Sequence, residues 1–285
     1  MAEPIIISLP DIYEDITEED ISKEKKWTLR RNDNAALLSS LVVTLLQDAI
    51  RQLTQIAYKY NCRPEQFQFS QDKKLREEVA QVMEELEADI MELVETYSLK
   101  ETKDKDRRAF LLPWLLALSS KGSKDLQSTL HARLTQFLFD TEAQIAAMKL
   151  AKYDQTKATT RAISTMKAVY TAPEVQAAFK KPSAAKYIKS KGVHTGNKGL
   201  SSSGAYNVES FAYQTAVLGW ERSHYMDYQE RGAEGFYVLR GSNYPCDLCD
   251  SKVGFHKIEE VEALPPQHPH CVCFSVPVFL KNKQK

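Results

Sequence analysis

The chain has 285 residues, 43% of them hydrophobic and 27% charged, with a formal net charge of zero. That length suits one large domain or two ordinary ones, the apolar share is sufficient for real cores, and bulk charge nominates no partner. The five cysteines are an odd number with four near one end, which excludes a small secreted disulfide scaffold.

Met1 to Pro10 contains no Lys or Arg, so no basic n-region of a signal peptide is present there, and the most apolar run, Ala35 to Leu46, is too short to span a bilayer. A soluble protein made in a reducing cytoplasm, with no membrane partner, is the expectation.

Residues 1–33 read as an acidic N-terminal arm, because Glu3, Asp11, Glu14, Asp15, Glu18, Glu19 and Asp20 precede any base. Residues 34–190 read as a helical region. From Asn34 to Tyr60 the apolar positions Leu37, Leu41, Leu45, Ile50, Leu53 and Ile56 recur at helical spacing, and Arg63-Pro64 closes the run. From Gln71 to Leu99, Leu75, Val79, Val82, Leu86, Ile90, Leu93 and Tyr97 form a narrow stripe of coiled-coil type, with Glu77, Glu78, Glu84, Glu85 and other acids on the remaining faces. Further helix is predicted from Arg107 to Leu118 and from Ser123 to about Val169.

Between Lys149 and Lys198 the balance turns basic. Lys180, Lys181, Lys186, Lys189 and Lys191 are the candidate phosphate contacts, each able to release counterions from duplex DNA; an acidic protein partner or a merely solvated basic face are the alternatives. No aromatic residues interleave with these lysines, which disfavours base stacking on single strands.

Residues 191–205, rich in Gly, Ser, Asn and Lys, read as a linker or loop. The C-terminal module, 206–285, starts with an aromatic-rich helix from Tyr206 to Glu230 that Gly232 can stop. A strand is predicted over Gly235 to Arg240 and another over Cys271 to Phe279. The expected fold class is therefore mainly α, a long helical N-terminal region followed by a small C-terminal α+β module.

That module carries Cys246-Asp-Leu-Cys249 and Pro265-Pro-Gln-His268-Pro-His270-Cys271-Val-Cys273. Two close pairs of soft ligands separated by a loop describe one tetrahedral structural Zn2+ site. The Cys-x-x-Cys turn lets two thiolates reach one ion, and Gly254 can relax the chain beyond it. Prolines around His268 keep it extended, and Cys271 and Cys273, two apart on a strand, share a face. More donors compete than the four places allow: Cys246, Cys249, His268 and Cys271 are favoured, Cys273 is next, and His270 follows. Reduced cysteines packed in a small core, or a later disulfide, are the alternative. Cys62 reads as a buried thiol, and His131, His194, His224 and His256 as residues without a special role.

Catalysis is not expected. Cys246 with His268 could imitate a thiol–base pair, but no orienting Asn or Asp sits in a telling motif. There is no Gly-rich phosphate loop, nucleophile elbow or His-Glu-x-x-His. No small-molecule substrate is implied.

The order Cys246-x-x-Cys249, Gly254, an acidic and apolar spacer, then Pro266-x-His268-Pro269-x-Cys271-x-Cys273 resembles the C-terminal signature of tailed-phage minor head proteins, the Mu F-like head morphogenesis family. The similarity covers roughly 40 residues. It departs at Val272, where the family usually places arginine, and Trp220-Glu221-Arg222-Ser223 is a rough counterpart of the family's Arg-Thr-Glu-type segment. The resemblance implies a minor virion component, made in the host bacterial cytoplasm and sited in the capsid interior or at the portal vertex. Its partners would be portal, capsid or scaffold proteins, and double-stranded DNA through the basic segment. The rival reading is a zinc-containing nucleic-acid-binding protein outside any virion.

Overall fold

The computed structural model describes residues 6–60, 67–102, 105–109, 111, 126–150, 204–268 and 271–281. Among these residues it is mostly helical, with four long helices: α1 (Glu18–Lys59), α2 (Lys73–Ser98), α3 (Leu126–Leu150) and α4 (Gly204–Glu230). Strands β1 (Gly235–Leu239), β2 (Gly254–Lys257) and β3 (Phe274–Val278) form one antiparallel sheet in the order β2-β1-β3. A helical turn, α5 (Asp247–Asp250), and a 3-10 turn (Val261–Ala263) complete the C-terminal part.

The last three acids of the run expected as an arm, Glu18, Glu19 and Asp20, instead start a helix. Thr17 Oγ1 accepts the Asp20 N–H at 3.2 Å, and Asp20 Oδ2 accepts the Thr17 N–H at 3.0 Å. This reciprocal cap satisfies two otherwise unpaired donors. Glu18, Glu19 and Asp20 in the first turn, and Lys59 in the last, also suit the helix dipole. Residues 6–17 are tied down as well. Ile7 bridges Ile16, Tyr13 bridges Leu280, and the Glu14 and Lys281 amides donate to the Phe279 and Ile12 carbonyls, both at 2.9 Å.

Along α1 the buried face is Leu38, Val42, Leu46, Ala49, Ile50, Leu53 and Ile56, whereas Leu37 is exposed. The expected register of Leu37, Leu41 and Leu45 is one residue off, because Leu37-Leu38, Leu41-Val42-Val43 and Leu45-Leu46 offer two apolar faces and packing chooses between them. The two readings differ measurably. Leu38→Ala is expected to cost about 2–5 kcal/mol and Leu37→Ala no more than about 0.5 kcal/mol in denaturant titrations; equal costs would refute this register. Among the described residues α1 is the one helix long and apolar enough to cross a bilayer by composition, yet Leu38, Val42, Leu46 and Leu53 are fully buried within the protein.

Asp72 caps α2, its Oδ1 accepting the Lys74 and Leu75 amides at 2.8 and 3.1 Å. The α2 stripe is buried at Leu75, Val79, Val82, Leu86 and Ile90, then continues through Val94 in place of Leu93. A straight helix with 3.6 residues per turn drifts off a strict 3.5 repeat, which moves the last turn's buried position by one.

The chain divides into two compact units. One gathers Leu38–Val94 and Leu116–Ala212. In it Lys59 pairs with Glu78 at 2.8 Å, His131 with Glu87 at 2.9 Å, and Ser39 donates to Glu209 at 2.7 Å. Asp140 Oδ2 accepts the Gly204 N–H at 2.6 Å and so caps α4. Its core includes Leu38, Leu53, Leu75, Ile90, Leu130, Phe137 and Phe211.

The other unit gathers Met1–Leu37, Glu95–Leu115 and Tyr213–Lys285, so the predicted C-terminal module 206–285 does not stand alone. Both faces of its sheet are covered. Phe236 and Val238 pack with Tyr225, Tyr228 and Ala263 on one face. On the other, Phe274, Val276 and Val278 pack with Ile16, Ile21, Tyr237 and Leu239. Gly232 ends α4 with φ +78, the left-handed conformation a helix C-cap requires, and the Ala233 amide returns to the Tyr228 carbonyl at 3.0 Å.

The predicted helix 123–169 is confirmed over Leu126–Leu150; its remainder, most of the 107–118 helix, the linker up to residue 203 and Cys62 lie outside the described residues.

Candidate metal centre

The first ligand pair sits on α5. Cys246 precedes it in extended backbone, with φ −155 and ψ 103, and the Asp250 amide donates to the Cys246 carbonyl at 2.8 Å. This turn brings Cys246 and Cys249 to one side. Arg240, leaving β1, grips the turn from outside through the Asp250 carboxylate and the Tyr244 carbonyl. Gly254 opens β2 at φ +125, a conformation that favours glycine, and gives the chain its exit from the knuckle.

The second half arrives after a cis Pro265-Pro266 bond. The Cys271 amide donates to the His268 carbonyl at 3.1 Å, and Cys271 and Cys273 lead directly into β3. Gly241 allows β1's exit to lie against this segment, since a Cβ there would meet the Val272 carbonyl oxygen at 1.7 Å. Gly241→Ala must therefore displace Val272, which lies between two of the candidate ligands. Metal affinity is expected to fall by about tenfold or more, as when outer-shell supports of a metal site are lost. Chelator competition measures this; an unchanged Kd would show that the segment moves without the ligands.

All five expected donors adjoin. Cys246, Cys249 and His268 have ligand atoms within 4.8 Å of one another, and so do Cys249, Cys271 and Cys273. Cys249 Sγ lies 3.1 Å from His268 Nε2 and 3.7 Å from Cys271 Sγ. Two sulfurs each about 2.3 Å from one ion at the tetrahedral angle stand about 3.8 Å apart, so the Cys249–Cys271 edge fits. The four cysteines of the cluster are free thiols, and Cys249, Cys271 and Cys273 are buried. Cys249 belongs to both triads, whichever four donors close on an ion.

The site's electrostatics already favour a thiolate. A hydrogen bond from Cys273 pulls the Cys271 thiol down to about 5, against the cost of burial. Cys273 is pushed up by the same bond, and burial pushes Cys249 up to about 12. An ion binding here must displace protons from the thiols that are pushed up. A surface depression of about 350 Å³, lined by Arg240, Tyr244, Leu248, His268 and Val272 among others, opens beside the cluster.

His270 and the five candidate DNA-contacting lysines, Lys180, Lys181, Lys186, Lys189 and Lys191, lie outside the described residues. Besides His131, two more histidines expected to be idle have structural tasks. His224 stacks on Trp27 at 3.9 Å and bonds the buried Glu24 at 2.5 Å, while His256 links Glu260 and the Lys252 carbonyl at 3.0 and 2.9 Å. Missed from the sequence were Arg240, Gly241, Glu221 and Arg31. Arg31 is one of two adjacent arginines in α1, and nothing in its spacing distinguishes it from the exposed Arg30 beside it.

No protein-family model, curated protein or solved structure matches this chain.

Proposed function

We propose that the chain is a minor head protein of a tailed phage, an assembly component whose C-terminal residues are organised by a structural zinc ion. The observation that supports this reading is the adjoining of Cys246, Cys249, His268, Cys271 and Cys273 in one cluster, the residues of the Mu F-like signature. Thiolate and imidazole donors in a closed set suit Zn2+, which has no geometric preference of its own and accepts a tetrahedral cage; a closed cage leaves no position for a catalytic water. Zinc would cross-link α5 to the entry of β3. The function would be to engage portal, capsid or scaffold proteins, with DNA contact assigned to the lysines of 180–191.

Two measurements test the two parts. Elemental analysis of the purified chain is expected to give about one zinc per chain, and a metal-free, fully folded protein would remove the zinc. Expressed with the portal, capsid and scaffold proteins of its own genome, the chain is expected to co-sediment with assembled heads. Complete heads that exclude it would remove the assembly role.

A further inference from the structure

We propose that Arg31 is a positioning residue for the metal centre, and that metal binding and the packing of α1 are coupled through it. The inference rests on the cluster being a metal site and extends it to a helix more than 200 residues away in sequence.

Arg31 is completely buried. A buried guanidinium is tolerated only where its planar fork of five donors is met by acceptors. Here Nε faces Asn32 Oδ1 at 3.2 Å and Nη1 donates to Glu221 Oε2 at 2.6 Å. Nη2 faces two backbone carbonyls, those of Cys271 at 3.3 Å and Cys273 at 3.5 Å. These belong to the candidate ligands themselves.

The geometry explains why that matters. In extended backbone, carbonyls two residues apart point the same way and the two side chains stand on one face. The conformation that lets one nitrogen reach both carbonyls is thus the one that presents Cys271 and Cys273 together to Cys249. Glu221 extends the clamp, since its Oε1 accepts the Ser275 hydroxyl at 3.2 Å. A guanidinium serving the fold alone has no need to end on these two carbonyls.

If Arg31 preorganises the ligands, the coupling is reciprocal: the ion must in turn steady the part of α1 that carries Arg31. The test uses the full chain and zinc itself, in competition with a chromophoric chelator. Arg31→Met is expected to raise the zinc Kd about 10- to 100-fold, with Arg31→Lys between it and wild type. Arg30→Met, removing an exposed neighbour, is expected to leave Kd unchanged. The double variant Arg31→Met/Glu221→Leu separates positioning from folding: it removes the unpaired charge but not the loss of the clamp, so its Kd stays high.

Should Arg31→Met not fold, the wild-type protein still decides. Chelation is expected to speed amide hydrogen exchange over residues 27–35 as well as 271–275, leaving 75–86 unchanged. A wild-type chain that takes up no zinc overturns both the site and this coupling. Zinc uptake with an unchanged Kd in Arg31→Met or in the double variant, or exchange in 27–35 indifferent to chelation, overturns the coupling alone.

Discussion

Cys249→Ser is expected to abolish stoichiometric zinc binding, whereas Cys273→Ser is expected to weaken it far less. Cys249 is the sulfur common to both ligand triads, so no choice of donors from both halves dispenses with it easily. Losing Cys273 leaves Cys246, Cys249, His268 and Cys271, a full tetrahedral set. A structural zinc site is worth about 10–16 kcal/mol; an even share puts one donor at about 3–4 kcal/mol, two to three orders of magnitude in Kd. Equilibrium competition on the two variants checks the asymmetry. Equal losses would mean that Cys273 is an obligatory ligand, and a wild-type Kd in Cys249→Ser would place the ion elsewhere.

The same variant limits what zinc does for the fold. The C-terminal sheet is small, yet both its faces are packed against apolar side chains from α1, α4 and residues 7–16. Chelation is therefore expected to loosen 241–273 while the helical circular-dichroism signal persists.

The second large effect is on stability. Glu221→Leu leaves the Arg31 guanidinium buried without its carboxylate and takes an acceptor from Ser275. Breaking a buried ion pair from one side costs about 3–5 kcal/mol, whereas replacing both partners with apolar groups of similar size is often neutral. Glu221→Leu and Arg31→Met should each lose about that much in urea titrations, and the double variant should recover most of it. A single-variant cost below about 1 kcal/mol would show that water reaches the pair.

What the sequence made legible follows from how local each signal is. The α2 stripe, the α4 stop at Gly232 and the strand over 235–239 all rest on neighbours within a turn or a pleat, and each stands in the structure within a few residues. The Cys and His donors were legible because metal ligands must be particular residue types at short spacing. β2 was not, since Gly-Phe-His-Lys has neither length nor alternation, and it is a strand only because β1 offers it an edge. The acidic start of α1 was misread because acids favour both a solvated arm and a helix N-terminus, and the Thr17–Asp20 cap decides between them. Arg31 and Glu221 were illegible because their significance lies in a partner far away in sequence.

The bridge between Tyr13 and Leu280 joins residues near opposite ends of the described chain. Pairings so distant in sequence carry a high loop-closure cost and slow the search for the native topology. During synthesis the early part of α1 would leave the ribosome with Arg31 still hydrated and Ile16 without its sheet, because β3 is translated more than 200 residues later. This unit therefore cannot close until β3 has been made, and until then the partial chain displays an unsatisfied apolar surface.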